Sequence, residues 1–185
     1  MIKSKKDYKR YLKIEINNYK DSYPNFTKEH KNIIKFQKTY RKLEYYTNCK
    51  KSLLSKIIKY FLQLKYTHLS EKYGFHIPIN TIKEGLCIIH TGPIYINSNT
   101  KIGKNLRIHP MTTIGKNIGP DNTSPTIANN VWIGPGARIY GNIKIGSNTI
   151  IGTNSVVNKS FKGNCTIAGI PAKKISNKKY KDYFK

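Results

Sequence analysis

The sequence predicts a mainly β protein, a parallel β-helix preceded by a small α-helical region. A β-branched residue returns at every sixth position over the second half of the chain, polar and turn-forming residues separate these positions, and the first half has apolar residues at helical spacing. The repeating positions are Ile96, Ile102, Ile108 and Ile114, followed by Ile127, Ile133, Ile139, Ile145, Ile151 and Val157.

A period of six fits neither an α-helix nor an ordinary alternating strand, because a helix would return apolar residues at steps of three, four and seven. In a β-helix each group of six residues forms one strand, and three groups complete one triangular coil. Stacked coils lie roughly 4.8 Å apart, so their inward side chains form one continuous core. Asn and Gly recur between the strands, where corners require positive φ angles.

The pattern divides the chain into an α-helical region (1–80), a β-helix domain (81–175) and a basic tail (176–185). The step from Ile114 to Ile127 is 13 residues rather than six, which predicts a loop over 116–126. Within the helical region, Thr27 is the expected N-cap of the second helix, with His30 in its first turn.

Residues 50–69 form the clearest amphipathic helix, with Leu and Ile on one side and Lys on the other. We expect its apolar side to pack against the β-helix or a partner subunit. Peripheral contact with a membrane is the alternative, because basic amphipathic helices also lie in lipid interfaces.

Composition sets further bounds on function. The 34 Lys and Arg against nine Asp and Glu give a net charge of +25, spread along the whole chain. Such a positive field favours an anionic ligand, an acidic polysaccharide or an anionic membrane surface. The three Cys residues have no metal-like spacing, and no apolar run approaches the length of a membrane span. We therefore expect a cytoplasmic protein, with possible contact to the inner face of the membrane.

Three motifs identify a family resemblance over residues 70–176. His90-Thr91-Gly92 opens the coils, Ile133-Gly134-Pro135-Gly136-Ala137-Arg138 lies in their middle, and Ala168-Gly169-Ile170-Pro171-Ala172-Lys173 closes them. The chain resembles the hexapeptide-repeat acyltransferases. Within them it is most similar to the serine acetyltransferase branch, especially the short relatives encoded among surface-polysaccharide genes.

The resemblance implies a left-handed parallel β-helix, a homotrimer with active sites between subunits, and acetyl-CoA as co-substrate. It also implies that His90 is the general base. Imidazole suits this role, because a hydroxyl attacks a thioester only if its proton is removed as the new bond forms. The expected activity is acetyl-CoA-dependent O-acetyl transfer to an acceptor hydroxyl.

Three positions depart from the serine-specific pattern. The resemblance leads us to expect Asp directly before the catalytic His and an Arg-His pair in the loop, but this chain has Ile89, Thr123 and Ser124 there. We therefore predict a sugar or a cell-surface polysaccharide precursor as the acceptor. Serine O-acetylation is the alternative. His109, nineteen residues after His90, is a second candidate for the base or a residue of the acceptor pocket.

The resemblance also suggests which residues bind CoA. Small residues would let the pantetheine arm approach the backbone, and basic residues would neutralise the phosphates. The candidates are Gly134, Gly136, Ala137, Arg138, Gly152, Thr153, Lys173 and Lys174.

Three other classes of function are less well supported. A zinc-dependent β-helix enzyme of the γ-class carbonic anhydrase type needs three His ligands, and the coils contain only His90 and His109, so we expect no metal. A nucleic-acid-binding protein would cluster its basic residues or carry an aromatic RNA-binding motif, and neither is present. A purely structural β-helix is the third alternative.

Overall fold

The computed structural model describes residues 1–23, 25–118 and 123–184. Three helices come first: α1 (Lys5–Ser22), α2 (Lys28–Cys49) and α3 (Leu53–Tyr73). A run of short strands follows. In chain order these are β1 (Phe75–His76), β2 (Cys87–Ile88), β3 (Ile94–Ile96), β4 (Lys101–Ile102), β5 (Leu106–Ile108), β6 (Thr112–Gly115), β7 (Thr126–Ile127), β8 (Val131–Ile133), β9 (Arg138–Tyr140), β10 (Lys144–Ile145), β11 (Thr149–Ile151), β12 (Val156–Val157), β13 (Cys165–Gly169) and β14 (Ala172–Ser176).

Each helix begins at a hydroxyl residue that satisfies an unpaired backbone N–H group of the first turn. Ser4 and Ser52 accept such bonds at α1 and α3. At α2, Thr27 accepts from the backbone N–H of His30, whose ring in turn accepts from the N–H of Thr27, so the predicted cap is confirmed. The helix α3 ends at Gly74, whose φ of 77° is left-handed.

The strands form the three faces of a coil, as the six-residue period predicts. One face has the strand order β1-β3-β6-β9-β12, the second β4-β7-β10, and the third β2-β5-β8-β11-β13-β14. Neighbouring coils pair in parallel, and only β14 runs antiparallel to its described neighbour, β13. The strand β1 already belongs to this stack, because Phe75 pairs with Ile94 of β3.

The inward Ile side chains of the third face form a continuous buried column. Ile88 pairs with Ile108, Ile108 with Ile133, Ile133 with Ile151, and Ile151 with Ile167, and all five have no exposed surface. Each coil therefore covers the apolar side chain of the next, which is why a single coil would not be stable alone.

Asparagine side chains form a second ladder, at a corner of the coils. The side-chain amide of Asn105 donates to Asn130, that of Asn130 to Asn148, and that of Asn148 to Asn164, at 2.9–3.0 Å. All four residues have φ between 51° and 58°. Asn tolerates this conformation better than other residues with side chains, and here its amide also joins successive coils.

A buried arginine joins the helices to the first coil. Arg41 of α2 is fully buried and forms ion pairs with Glu15 of α1 at 2.6 Å and with Glu44 at 2.8 Å. Its guanidinium also donates to the backbone carbonyls of Ile82 and Lys83, at 2.9 Å each. One side chain thus connects two helices with the start of the β-helix.

The helix α3 packs differently from the expectation. It contacts the rest of the protein through Ser55, Leu62, Leu69 and Ser70, which are buried. The predicted apolar side is largely exposed: Leu53, Leu54, Ile57, Tyr60, Phe61 and Leu64 expose 50–76% of their surface. The expected packing of this side against the β-helix is therefore wrong. Simple amphipathic spacing does not separate the two apolar faces of this helix, so Leu62 lies on the buried face although its neighbours in sequence are exposed.

The basic C-terminal segment folds back onto the coils. A short 3-10 helix spans Tyr180–Asp182, and Tyr180 is buried. The guanidinium of Arg107 lies over the ring of Phe184, 4.4 Å from its centroid. No helix in the described part of the chain combines the length and apolarity needed to cross a bilayer.

We expect Arg41→Met to lower the free energy of unfolding by about 3–5 kcal/mol, because it leaves the carboxylates of Glu15 and Glu44 buried without their partner. Chemical denaturation measures the change. The matched control is Arg10→Met, which removes a half-exposed arginine paired with Glu84 at 3.1 Å and should cost less than about 1 kcal/mol. Equal losses for the two variants would contradict the structural role of Arg41.

Candidate active site

His90 lies just after β2, with its imidazole at the surface beside the first turn of α2. The ring is 53% exposed, and its Nδ1 lies 3.3 Å from Oε2 of Glu29. The other carboxylate oxygen of Glu29 accepts from the backbone N–H and the hydroxyl of Thr91, both at 2.8 Å. Glu29 therefore holds the loop after β2 and one nitrogen of the imidazole at the same time.

The carboxylate of Glu29 is suited to this arrangement. Partial burial alone would raise its pKa, but the hydrogen bonds from Thr91 and His90 outweigh that effect and lower it. Glu29 is therefore ionised at neutral pH. With Nδ1 protonated, His90 donates to this carboxylate and leaves Nε2 unprotonated, which is the form that a general base requires.

His109 lies one coil further on, close to His90. The two ring centroids are 6.3 Å apart, and the ring of His109 meets the indole of Trp132 edge-on at 4.9 Å. Burial, followed by the nearby His90 and Arg107, lowers the pKa of His109 to about 4. His109 is thus neutral at physiological pH, and its ring lies beside that of His90.

Small residues continue the corner of the coil on which His109 lies. The backbone N–H groups of Ile89, His109, Gly134 and Gly152 donate to the last Ile of the third face on the neighbouring coil, so these four residues occupy the same position on successive coils. Beyond His109 this column carries no side chain at Gly134 and Gly152. Gly134 is nevertheless buried, and a Cβ at this position would lie 2.9 Å from the indole of Trp132, whereas Gly152 is half-buried.

The fold itself also requires these glycines. A Cβ on Gly134 would lie 2.9 Å from the backbone nitrogen of Thr153, and Gly136 has a φ of 74°. The packing of the coils thus explains why these positions are glycine, and the glycines do not by themselves indicate a ligand-binding site. Ala137 is fully buried, which makes it a core residue with no surface for binding. Thr153 is exposed.

The predicted basic residues lie at the surface. The Arg138 guanidinium donates to the backbone carbonyl of Met111 and to the hydroxyl of Thr113, both at 2.7 Å, so it is already held by the neighbouring coil. Lys173 and Lys174 are exposed on β14, where they lie opposite Ala168 and Ile167 of β13.

The three positions that depart from the serine-specific pattern have different environments. Ile89 is 5% exposed and belongs to the hydrophobic core, so the prediction that it contacts the acceptor is wrong. Ser124 donates to the side-chain oxygen of Asn97 at 3.0 Å, and Thr123 is exposed. Both lie at the end of the predicted loop, of which residues 119–122 are outside the described part of the chain.

Sequence reasoning missed two residues of this site. Glu29 is 61 positions before His90, and only the docking of α2 brings them together. Its signal in the sequence is weak, since an acidic residue in a first turn is common for reasons of helix stability alone. Trp132, the single Trp of the chain, lies inside a repeat and was not distinguished from an ordinary outward residue.

Two further observations concern a metal site and a second candidate cavity. Within the described residues, no group of three or more His, Cys, Asp or Glu side chains is arranged to hold a metal ion. A groove of about 540 Å³ lies between the helices, lined by apolar residues such as Leu12, Ile34 and Leu62 and by several lysines. Its described lining contains no His, Asp or Glu side chain that could act as base or acid, in contrast to the pair His90–Glu29.

Known sequences similar to this chain share a common description. The family model described as "Bacterial transferase hexapeptide (six repeats)" matches residues 124–159. The serine acetyltransferase of Buchnera aphidicola subsp. Acyrthosiphon pisum is 34% identical over 122 residues, which cover 64% of this chain and 44% of the relative. That of Staphylococcus aureus strain N315 is 41% identical over 93 residues, covering 49% and 43%. The chain thus spans about half the length of the curated relatives it matches.

The predicted resemblance to the serine acetyltransferase-like hexapeptide-repeat acyltransferases is confirmed. Solved structures agree on the fold. The serine acetyltransferase of Brucella abortus strain S19 has a TM-score of 0.72 at 24% identity, covering 95% of this chain and 72% of that one. The soybean enzyme, solved with serine, has a TM-score of 0.71 at 19% identity, covering 92% and 70%. The left-handed β-helix is thereby confirmed.

The depressed pKa of His109 predicts a dependence of stability on pH. Because the folded-state pKa of about 4 is below the ordinary 6.5, protons bind preferentially to the unfolded chain. The contribution of neutral His109 is present in full above pH 6.5 and is lost as the pH falls toward 4. The free energy of unfolding of the wild type should therefore fall more steeply over this range than that of His109→Gln.

The matched control is His68→Gln, because His68 is an exposed residue of α3. Its pH profile should follow that of the wild type. Parallel profiles for the wild type and His109→Gln would show that His109 does not have a depressed pKa.

Proposed function

We propose that the protein is an acetyl-CoA-dependent O-acetyltransferase, with His90 as the general base. The observation that carries this proposal is the pair His90–Glu29, an exposed imidazole held at Nδ1 by a carboxylate at 3.3 Å. The relatives are named serine acetyltransferases, and one solved neighbour, from Brucella abortus, is described in complex with coenzyme A.

In the proposed reaction the acceptor hydroxyl attacks the carbonyl carbon of the acetyl thioester directly. Nε2 of His90 takes the hydroxyl proton as the carbon–oxygen bond forms, and Glu29 stabilises the resulting imidazolium. The tetrahedral intermediate then expels the CoA sulfur, which recovers the proton from Nε2. The products are the acetyl ester and free CoA, with no covalent enzyme intermediate.

CoA is proposed to lie along the column that continues from His109 to Gly134 and Gly152. The resemblance assigns Gly134, Gly136, Gly152 and Thr153 to the narrow pantetheine arm, which small residues let approach the backbone. Thr153 is exposed and Gly136 and Gly152 are half-buried, which supports their assignment, whereas Gly134 is buried and offers no such surface. Lys173 and Lys174, exposed near the last coils, are suited to the phosphates of the nucleotide end. The resemblance further suggests a homotrimer whose grooves between subunits complete the site.

The acceptor is the least constrained part of the proposal. The comparisons favour L-serine, our alternative, over the sugar or polysaccharide precursor, because the relatives are named for serine and solved structures of two neighbours contain it. One observation keeps the glycan as a second candidate. No charged side chain replaces the expected Asp or Arg-His pair at Ile89, Thr123 and Ser124. Serine's ammonium and carboxylate would therefore need partners from elsewhere.

Replacement of the base should reduce turnover strongly. We expect His90→Ala to lower kcat/KM by about 10²–10⁴-fold, since this is the usual contribution of a general base. Glu29→Gln should cause a smaller loss in kcat, because it weakens the orientation of the imidazole without removing it. Release of free CoA thiol measures the rate, and calorimetry verifies that CoA still binds. Unchanged turnover in a folded His90→Ala would refute the proposed role, and His68→Ala is the control.

The identity of the acceptor is tested with the same thiol assay. Parallel reactions contain acetyl-CoA with L-serine, or with a panel of sugars, nucleotide sugars and oligosaccharides. We expect turnover with serine if other residues replace the missing charged groups. Turnover with a glycan alone would instead support the sugar acceptor. Hydrolysis or transfer that is equal in His90→Ala and wild type would contradict both.

A further inference from the structure

The helix α3 presents two apolar faces, and only one of them is used inside the chain. Leu62 and Leu69 are buried against the rest of the protein. On the other side, Leu53, Ile57, Tyr60 and Leu64 follow one another at steps of four, three and four, which places them on one line along the helix. Leu54 and Phe61, one position after Leu53 and Tyr60, widen this line.

We call this the apolar stripe: Leu53, Leu54, Ile57, Tyr60, Phe61 and Leu64. Each member exposes half or more of its surface, and the largest fraction is 76%, at Leu53. Single exposed apolar residues are ordinary on protein surfaces, but six contiguous ones on one helix face indicate contact with a partner. The stripe is remote in sequence from the residues of the candidate active site.

The charges around the stripe identify the kind of partner. Lys56 and Lys59 lie on one side of it and Lys65 on the other, and all three are exposed. Between residues 50 and 70 the sequence contains no Asp or Glu. An apolar stripe bordered by lysines on both sides is the pattern of a helix that lies in a lipid interface. Tyr60 and Phe61 add aromatic rings, which suit the boundary between head groups and acyl chains.

The same charges disfavour contact between the stripes of two copies of the chain. Two stripes packed together would bring lysines face to face without an acidic residue of α3 near the contact, and like charges in such positions oppose pairing. An anionic surface has the opposite effect, because every lysine that approaches it contributes favourably.

We propose that α3 docks the protein onto an anionic lipid bilayer, with the apolar stripe inserted at the interface and Lys56, Lys59 and Lys65 against the head groups. The helix lies in the plane of the membrane and does not cross it. This places the protein at the membrane surface whichever acceptor it uses. The inference is independent of the proposed acetyltransferase activity, which resides on other elements.

Sedimentation of the full chain with vesicles tests this proposal. Vesicles of phosphatidylcholine alone are compared with vesicles that also contain phosphatidylglycerol. We expect binding to the anionic vesicles at least about tenfold tighter than to the neutral ones, decreasing with added salt. Equal binding to both vesicle types would overturn the proposal.

Two double variants separate the apolar and the charged contributions. Ile57→Ser with Phe61→Ser removes the centre of the stripe and should weaken binding to anionic vesicles by about tenfold or more. Lys56→Glu with Lys59→Glu should abolish the preference for anionic lipid. Both changes are on exposed positions, and circular dichroism verifies that the helices remain folded. Unchanged vesicle binding in both variants would overturn the proposal.

The matched control is Lys5→Glu with Lys6→Glu, which changes the net charge equally at two exposed positions of α1. It should retain most of the binding, and an equal loss would mean that only net charge matters and would overturn the specific role of α3.

Analytical ultracentrifugation tests whether the stripe instead joins copies of the chain. If Ile57→Ser with Phe61→Ser dissociates an oligomer and the wild type does not bind vesicles, the stripe joins copies of the chain and the lipid proposal is wrong.

Discussion

The buried ion network of Arg41 determines how the two parts of this protein meet. Its guanidinium satisfies two carboxylates from the helices and two backbone carbonyls from the first coil, all without solvent. A buried charge is tolerated only when every partner is in place, so this network accepts few alternative arrangements. The position of α2 on the coil is therefore closely defined, and with it the contact between Glu29 and His90.

The candidate active site is thus a product of two structural units. The β-helix supplies His90 and His109 on consecutive coils. The helical region supplies the acid that orients His90. This division has a chemical consequence. The rigid stack positions the ring of His109, whereas the docked helix orients the imidazole of His90.

Much of the fold could be predicted from the sequence, because the repeat is local and periodic. The repeat places an apolar residue of each strand in the core. The cap at Thr27 depends on residues only three positions apart. The role of Glu29 could not be predicted, since it depends on packing between segments distant in sequence. The same limit applies to α3, where spacing shows an apolar side but not which of two sides the protein covers. Ile89 and Ala137 likewise were named for binding, and both are core residues.

The sequence by itself determined the coil, its six-residue register and His90 at its opening, because a β-helix is specified by contacts that each repeat makes with its neighbours. Only the tertiary structure decided which acid holds His90, that His109 lies 6.3 Å from it, and that one face of α3 stays exposed. These features depend on how the helices dock on the coil. That docking depends on the desolvated charges of Arg41, Glu15 and Glu44. Arg41 and Glu15 are 26 positions apart, so no local pattern in the sequence predicts their contact.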